Sequence, residues 1–473
     1  MSRQLSSEVI VVGSGAGASA VAGELAAAGV DVLVLEAGSK RFDPAGAHIR
    51  NVFTSEDDLS RVADVIYDEI LTYPSYAKHP IGTLFDLKVA HILGGMFSLW
   101  MGNCPVPDPK ELPEWLPFAE WAPYFDRAHR LMLIDETGGG GSAMFASLLS
   151  RVEAALGERQ AERKIRPMPL AAQRNGTALK FTSANELFFR GNEPRANLRI
   201  LTDHIVQEVL VDGARAIGVK ATNREAPASS MDLRADVVVV CGGTVGSAKI
   251  LAGSRLETSE ALGRYIHEHA CIGSRVTLNS ELRQLVHDDE PIYSIWVPYS
   301  STHPWQNELC RFTLSSDGTR LAQGVREVDT SDIFTFVPID VSRENRFVFD
   351  ETNLDPFGLP NVSADFRLSV CDHRRISAAL GEHFLIAAEV GDLDRGWQPF
   401  LYPGGGSTHF MGSCRMGEKD DGTSVVDRFG KLWGYEGIFV ADNSVLGTSN
   451  AGNPTFTTVA QALRTADRIL GRI

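Results

Sequence analysis

The first forty residues constrain the fold of this chain more than any other stretch. Val9–Val12 is a short run of β-branched residues, and a glycine-rich turn follows it directly. An alanine-rich stretch then runs to Ala28, and a second apolar run, Val32–Leu35, ends at Glu36. This order predicts a strand, a tight turn, a helix and a second strand, which is the arrangement of a dinucleotide-binding unit.

The residue types of the turn fit this interpretation. Gly13 permits a sharp turn off the strand, Gly15 lets the backbone approach a pyrophosphate, and Ala18 keeps the helix close to the strand. The helix N-terminus then presents free N–H groups and the positive end of its dipole to phosphates. Glu36 can accept hydrogen bonds from a ribose diol and would repel a 2′-phosphate, which favours FAD or NAD over NADP. The residues of the turn are Gly13, Ser14, Gly15, Ala16, Gly17 and Ala18.

Composition excludes several classes of partner. The 473 residues are enough for two domains, and a net charge of −15 argues against nucleic acid or an anionic membrane as partner. Six cysteines are scattered without a C-x-x-C pair, which indicates a reducing compartment rather than a disulfide framework. Because the N-terminus lacks a secretory pattern and no apolar run reaches membrane-spanning length, we expect a cytoplasmic protein without membrane insertion.

Later patterns predict two domains. A mostly apolar strand, Ala235 to Val240, leads through glycines into a helix, which indicates that the nucleotide domain resumes there. The stretches from Leu198 to Thr222 suggest a β-meander, and residues 275–400 alternate as antiparallel strands do. We therefore predict an α/β fold with a Rossmann-like dinucleotide-binding domain and a substrate domain built on a mostly antiparallel β-sheet. The former would comprise residues 1–140, 195–285 and 400–473, and the latter residues 141–194 and 286–399.

The most specific motifs lie near the C-terminus. One runs from His409 to Gly417, and Asp442-Asn443 and the segment from Ala451 to Thr455 follow it. With the opening unit, Gly94-Gly95-Met96 and the turn Val240-Cys241-Gly242-Gly243, they make the chain similar to the glucose–methanol–choline (GMC) family of FAD oxidoreductases. Within that family it resembles the branch of pyranose oxidase and C-glycoside oxidases.

The resemblance implies FAD as cofactor and a catalytic pair beside flavin N5, which here is His409 and Asn453. Oxidation of an alcohol requires a base for the hydroxyl proton while the carbon-bound hydrogen leaves as hydride, and an imidazole with an ordinary pKa of about 6.5 suits that task. Asn453 could hold the same hydroxyl. Besides the turn residues, the expected cofactor-binding residues are Glu36, Ala37, Gly38, Arg41, Gly94, Gly95, Met96, Ser98, Leu99, Trp100, Met101, Val206, Cys241, Gly242, Asp442, Asn453, Pro454 and Thr455.

Two positions differ from the fungal pyranose oxidases. Leu99 stands where those enzymes attach FAD to a histidine, which implies noncovalent FAD. Met101 stands where they carry a threonine implicated in oxygen reactivity, so the electron acceptor is either O2 or another molecule. The reaction implied is oxidation of a secondary hydroxyl of a sugar or glycoside to a ketone, and the sequence specifies neither the sugar nor the oligomeric state.

Other functions are compatible with parts of the same pattern. They are a redox-silent lyase of the same fold, an FAD dehydrogenase of a non-sugar alcohol, an NAD-dependent dehydrogenase and a flavin-binding module without activity. The other histidines give weaker signals. His267 and His269 flank Glu268, but no third metal ligand is close in sequence, so we expect a surface or capping role there and predict no metal site.

Overall fold

The computed structural model describes residues 6–53, 70–72, 82–160, 162–175, 178–190, 195–287, 292–311, 326–396 and 398–473. The α-helices of these segments are Ala16–Ala27, Ile49–Val52, Phe118–Leu131, Ala143–Leu156, Ala184–Phe189, Gly243–Gly253, Ser280–Arg283, Val370–Val390 and Thr455–Ile469. Short 3-10 helices span Gly95–Ser98, Pro109–Glu111, Gly157–Gln160, Glu327–Asp329 and Asn443–Val445.

A five-stranded parallel sheet gathers strands from the beginning, middle and end of the chain. In spatial order they are Ile438–Val440, Val237–Val240, Val9–Val12, Val32–Leu35 and Leu198–Leu201. Val9–Val12 and Val32–Leu35 are buried at every position, which explains why both are unbroken runs of Val, Ile and Leu. Leu198–Leu201, expected in a meander, instead forms an edge of this sheet.

Small residues let helices pack closely beside the parallel sheet. Helix Ala16–Ala27 lies against the last helix, Thr455–Ile469, and against Ala184–Phe189. A Cβ on Gly23 would come within 2.1 Å of the Leu187 carbonyl oxygen, so only glycine allows the second contact. The last helix also packs on Phe118–Leu131.

A second sheet is antiparallel and has seven strands. In spatial order it contains Gly391–Leu393, His269–Leu278, Thr330–Pro338, Gln306–Arg311, Tyr293–Val297 and Arg166–Pro167, and Phe400–Leu401 also pairs with His269–Leu278. Helix Val370–Val390 packs on it and in turn contacts helix Ala143–Leu156. Leu309, Ile333 and Ile386 belong to the apolar core between this sheet and its helices.

Smaller antiparallel elements complete the described structure. A three-stranded sheet contains His204–Asp212, Arg215–Asn223 and Ala226–Arg234, and another contains Ile134–Asp135, Leu170–Asn175 and Ala178–Phe181. Arg346–Leu354 pairs with Pro360–Asp365, and Leu71–Thr72 pairs with Val89–Ala90.

The α/β class with an antiparallel second sheet is the predicted one, but two segments lie across the predicted domain boundaries. Strand His269–Leu278 belongs to the antiparallel sheet, although residues up to 285 were assigned to the nucleotide domain. Helix Ala184–Phe189 packs on the first helix, although residues 141–194 were assigned to the substrate domain. In the described part of the chain, no helix combines the length and apolarity needed to cross a bilayer.

Candidate active site

The glycine turn packs closely against the residues that end two neighbouring strands, Val237–Val240 and Ile438–Val440. Gly13 has φ +97°, and a Cβ there would lie 2.3 Å from the Cys241 carbonyl oxygen. A Cβ on Gly17 would lie 1.9 Å from the Ala441 carbonyl oxygen. Both neighbours are backbone atoms, which cannot move aside as the end of a flexible side chain could. Glycine is therefore required at these two positions for the turn and the helix to form where they do.

Gly15 differs because space is open around it. It is the N-cap of helix Ala16–Ala27, no side chain caps that helix, and no acidic residue lies in its first turn. A Cβ at Gly15 would meet nothing nearer than the Gly94 carbonyl oxygen, 4.0 Å away. The free N–H groups of the helix therefore face a space that fits the diphosphate of a dinucleotide.

Glu36 is held at the end of its strand by groups from the turn. Ser14 Oγ donates to Glu36 Oε2 at 2.5 Å, and the Gly38 N–H donates to Oε1 at 2.7 Å. Ser14 in turn accepts a hydrogen bond from the Gly94 N–H at 2.7 Å. Burial raises the pKa of Glu36 to about 7, while these hydrogen bonds lower it. The predicted ribose-binding carboxyl and the Gly94 loop are thus linked through Ser14.

The loop after Gly94 approaches the turn. Gly94 and Gly95 both have positive φ, and a Cβ on Gly95 would be 3.7 Å from the Gly15 Cα. Ser98 is buried and donates to the Leu93 carbonyl, and the Trp100 indole donates to the Thr182 carbonyl. The other predicted residues of this stretch are the half-buried Met96 and Leu99, and Met101, which is 43% exposed.

Asp442 connects the later motifs to the same edge of the sheet. It accepts hydrogen bonds from the N–H groups of Gly243 and Ser444 and from Ser247 Oγ, and burial raises its pKa. Four of the other predicted cofactor-binding residues lie at the ends of elements: Cys241 and Gly242 follow strand Val237–Val240, and Pro454 and Thr455 start the last helix. The remaining three differ in exposure: Val206 is buried in its strand, Ala37 is half-buried, and Arg41 is exposed.

The proposed base, His409, contacts a second histidine. His409 Nδ1 lies 2.6 Å from His269 Nε2, and His269 Nδ1 lies 3.1 Å from the Asn450 carbonyl oxygen. Burial lowers the pKa of His409 to about 4 and lowers that of His269 as well. Both imidazoles are therefore uncharged at neutral pH.

Asn453 belongs to a different buried polar chain. Gln306 Nε2 donates to Asn453 Oδ1 at 3.0 Å and to Glu308 Oε1 at 2.8 Å. Asn103 Nδ2 donates to Glu308 Oε2 at 2.7 Å, and the Trp296 indole donates to Gln306 Oε1 at 3.0 Å. Burial raises the pKa of Glu308 to about 8. This carboxyl is thus predominantly protonated at neutral pH.

Phe336 connects the two polar chains. Its ring centroid lies 4.6 Å from that of His269 and 5.6 Å from that of His409. In the antiparallel sheet Phe336 pairs with Gln306, so their side chains lie on the same face. The structure therefore brings His409 and Asn453 to one face of the antiparallel sheet.

The predicted surface or capping role of residues 267–269 is wrong. His267, Glu268 and His269 are all buried. Glu268 accepts hydrogen bonds from the Gly405 N–H and from Ser407 Oγ, and Ser407 Oγ accepts one from the His409 N–H. The segment is interior because it leads into strand His269–Leu278 beneath the His409 motif.

Sequence reasoning also missed Asn103, Gln306 and Glu308. One signal was present: Gln306 and Glu308 are two residues apart in a strand, so both point to one face, although Asn307 between them is also polar. Polar residues at alternating positions of a buried strand indicate a built polar site. Asn103 carried no such signal.

Comparisons with known proteins show which proteins this chain is similar to. Two family models described as GMC oxidoreductase match residues 170–271 and 343–462. A C-glycoside 3-oxidase from Arthrobacter globiformis is 28% identical over 98% of this chain and 94% of its own length. A pyranose 2-oxidase from Lyophyllum shimeji is 23% identical over 79% of this chain and 66% of its own. The crystal structure of a pyridoxine 4-oxidase from Mesorbium loti superposes with a TM-score of 0.73 at 16% identity, covering 98% of this chain and 99% of that one.

Proposed function

This chain belongs to the GMC oxidoreductase family, and we propose that it oxidises a secondary hydroxyl of a sugar or glycoside to a ketone, with noncovalent FAD as the hydride acceptor. The observation that carries the proposal is an uncharged, half-buried His409 on the same sheet face as Asn453 and the Gln306–Glu308 pair. The similarity to C-glycoside 3-oxidase and pyranose 2-oxidase supports a sugar or glycoside as the substrate.

His409 would act as the general base. Because burial keeps the imidazole neutral, it can accept the hydroxyl proton at physiological pH. The alcohol loses this proton and one hydride, which together account for the two electrons and two hydrogens that separate an alcohol from its ketone.

Asn453 would orient the reacting hydroxyl. Its Oδ1 accepts from Gln306 and its NH2 group donates to the Glu308 carboxyl, which leaves the second N–H of the amide to donate to a substrate oxygen. The neighbouring Glu308 carboxyl and Gln306 amide add polar groups suited to further hydroxyls of a sugar. Fixing the amide in this way lowers the entropic cost of positioning the substrate.

The glycine turn, Glu36 and the Gly94 loop would hold FAD. When bound, FAD supplies the two-electron acceptor for the hydride. Leu99 has an aliphatic side chain that cannot form a covalent link, which supports noncovalent attachment. Electrons would pass on to O2 or another acceptor.

We place the protein in the cytoplasm because none of its six cysteines forms a disulfide.

The test is the visible flavin spectrum of the purified protein before and after anaerobic addition of a panel of sugars and glycosides. One of them should bleach the flavin of the wild type. In His409→Ala the bleaching rate should fall by about 10²-fold to 10⁴-fold with FAD content unchanged. His383→Ala removes another buried, neutral histidine that contacts Ser274 and Thr335 instead, and it should bleach at close to the wild-type rate.

Each other outcome rejects part of the proposal. A yellow protein that no sugar, glycoside or simple alcohol bleaches indicates a redox-silent enzyme, and bleaching by a non-sugar alcohol alone assigns a different substrate class. A colourless protein that takes up no added FAD rejects the cofactor. Admitting air after bleaching then distinguishes O2 from another acceptor by the rate of recolouring.

A further inference from the structure

Three groups in a row connect His409 to the backbone of the loop that precedes Asn453. The Asn450 carbonyl oxygen lies 3.1 Å from His269 Nδ1, and His269 Nε2 lies 2.6 Å from His409 Nδ1. The two imidazoles meet edge to face, with ring centroids 4.7 Å apart at 86°. His269 is buried and His409 is half-buried, so the contact of His269 with the Asn450 carbonyl oxygen is shielded from bulk water.

The direction of the hydrogen bonds follows from the first of these groups. A carbonyl oxygen can only accept, so His269 Nδ1 carries the hydrogen. A neutral imidazole has one N–H, which leaves the lone pair of His269 Nε2 free to accept. The short contact at Nε2 then requires the hydrogen to be on His409 Nδ1. His409 Nε2 is thereby left without a hydrogen.

We infer that His269 is a positioning residue that holds His409 in its Nδ1–H tautomer, so that Nε2 is the nitrogen that accepts the proton of the substrate hydroxyl. The inference rests on the proposed function for its catalytic consequence, but the tautomer itself is a property of the protein alone. His269 does not touch the substrate in this account.

The opposite tautomer shows why the orientation matters. If His409 carried its hydrogen on Nε2, its Nδ1 and His269 Nε2 would face each other as two lone pairs at 2.6 Å. That arrangement loses the hydrogen bond between the two rings and adds repulsion between two unsatisfied acceptors. His269 thus favours the form of His409 whose Nε2 is free to act as a base.

The same loop carries Asn453, so one segment sets both members of the catalytic pair. The Ala451 N–H donates to the Glu111 carboxylate, and Thr448 Oγ1 donates to the Glu111 carbonyl oxygen. His269 contacts this loop by hydrogen bonding to the Asn450 carbonyl oxygen. The orientation of His409 is therefore coupled to the backbone that places Asn453.

Two substitutions of His269 separate positioning from packing. In His269→Gln the side-chain NH2 can donate to Asn450 while Oε1 accepts from His409 Nδ1, so kcat should stay within about tenfold of wild type. In His269→Leu the acceptor is lost, and kcat should fall by about 10²-fold while KM and FAD content change little. His267→Gln is a matched control, because His267 contacts the Thr448 carbonyl of the same loop without touching His409; its kcat should stay near that of wild type.

The tautomer can be measured without any substrate, by ¹⁵N NMR of the histidine rings in the FAD-loaded protein. Wild type and His269→Gln should show His409 protonated at Nδ1, and His269→Leu should show a mixture of tautomers. Equal losses of kcat in the Gln and Leu variants, or an Nε2–H form of His409 in the wild type, would overturn the inference. If no alcohol reduces the flavin but the spectra are as expected, the positioning stands and the proposed reaction fails.

Discussion

Two regions of the molecule are built in opposite ways. One, which we call the cradle, is the glycine turn with Glu36 and the Gly94 loop. The other, which we call the wall, is the set of polar side chains around His409 and Asn453. In the cradle, backbone meets backbone at two positions: Gly13 and Gly17 lie against carbonyl groups at the ends of adjacent strands, and neither position has room for a side chain. In the wall, side chain meets side chain through Gln306, Glu308 and His269, with the backbone serving as scaffold. The cradle therefore tolerates no added atom at Gly13 or Gly17, whereas the wall tolerates a substitution that preserves its donors and acceptors.

The largest effect is expected in the cradle, from Gly17→Val. Its Cβ would lie 1.9 Å from the Ala441 carbonyl oxygen, and neither the helix nor the strand end can move away without losing the parallel sheet. We expect little folded protein and no bound FAD, measured by soluble yield and by flavin absorbance per chain.

Gly15→Ala is the matched control for that prediction. Its Cβ meets no protein atom within 4.0 Å, so the chain should fold with a normal circular dichroism spectrum. The methyl group would occupy the space proposed for the diphosphate, and the Kd for FAD should rise by about tenfold or more. A Gly17→Val protein that folds and binds FAD normally would show that the backbone contact does not define the cradle.

The contrast also explains how much of the molecule could be predicted. The turn and Glu36 lie within one short segment, so residue types and spacing alone predict them as a nucleotide site. The wall joins residues that are far apart in sequence: His269 and His409 are separated by 140 positions, and Gln306 and Asn453 by 147. No periodicity or local motif encodes such a contact, so the sequence supplied His409 and Asn453 by family resemblance and missed their buried partners.

Gln306→Leu is expected to have the next largest effect, on catalysis rather than on folding. Gln306 donates to the Asn453 amide and also accepts from the Trp296 indole, so its loss removes one of the two side-chain contacts that hold the amide and leaves only Glu308. We expect kcat/KM for the substrate to fall by about 10-fold to 100-fold with FAD binding unchanged, which corresponds to about 1.4 to 2.8 kcal/mol of lost transition-state stabilisation.

The neighbouring Asn307→Leu is the control for Gln306→Leu. Asn307 is equally buried but lies on the opposite face of the same strand, where it contacts Thr335 and Glu382. It should lower the unfolding midpoint at least as much as Gln306→Leu while leaving kcat/KM near the wild-type value. Equal catalytic losses in both variants would mean that the wall acts only through stability.

The smallest effect concerns the pH dependence of stability, and Glu308→Gln isolates it. Burial raises the pKa of Glu308 from its ordinary value of 4.5 to about 8, so between these two values the folded chain binds a proton that the unfolded chain has released. Stability from this group is therefore fully present below pH 4.5, decreases as the pH rises, and is lost above about pH 8. The slope for one proton is at most about 1.4 kcal/mol per pH unit.

Glu308→Gln removes this titration, so urea unfolding of the FAD-loaded proteins should show wild type losing stability relative to the variant from pH 5 to pH 8. Glu268→Gln provides a second curve, since burial raises the pKa of Glu268 only to about 7 and its difference from wild type should level off about one pH unit earlier. A difference between wild type and Glu308→Gln that does not change with pH would mean that Glu308 is ionised in the folded protein. The wall would then contain a buried charge, and its tolerance of neutral, hydrogen-bonding replacements would not extend to Glu308.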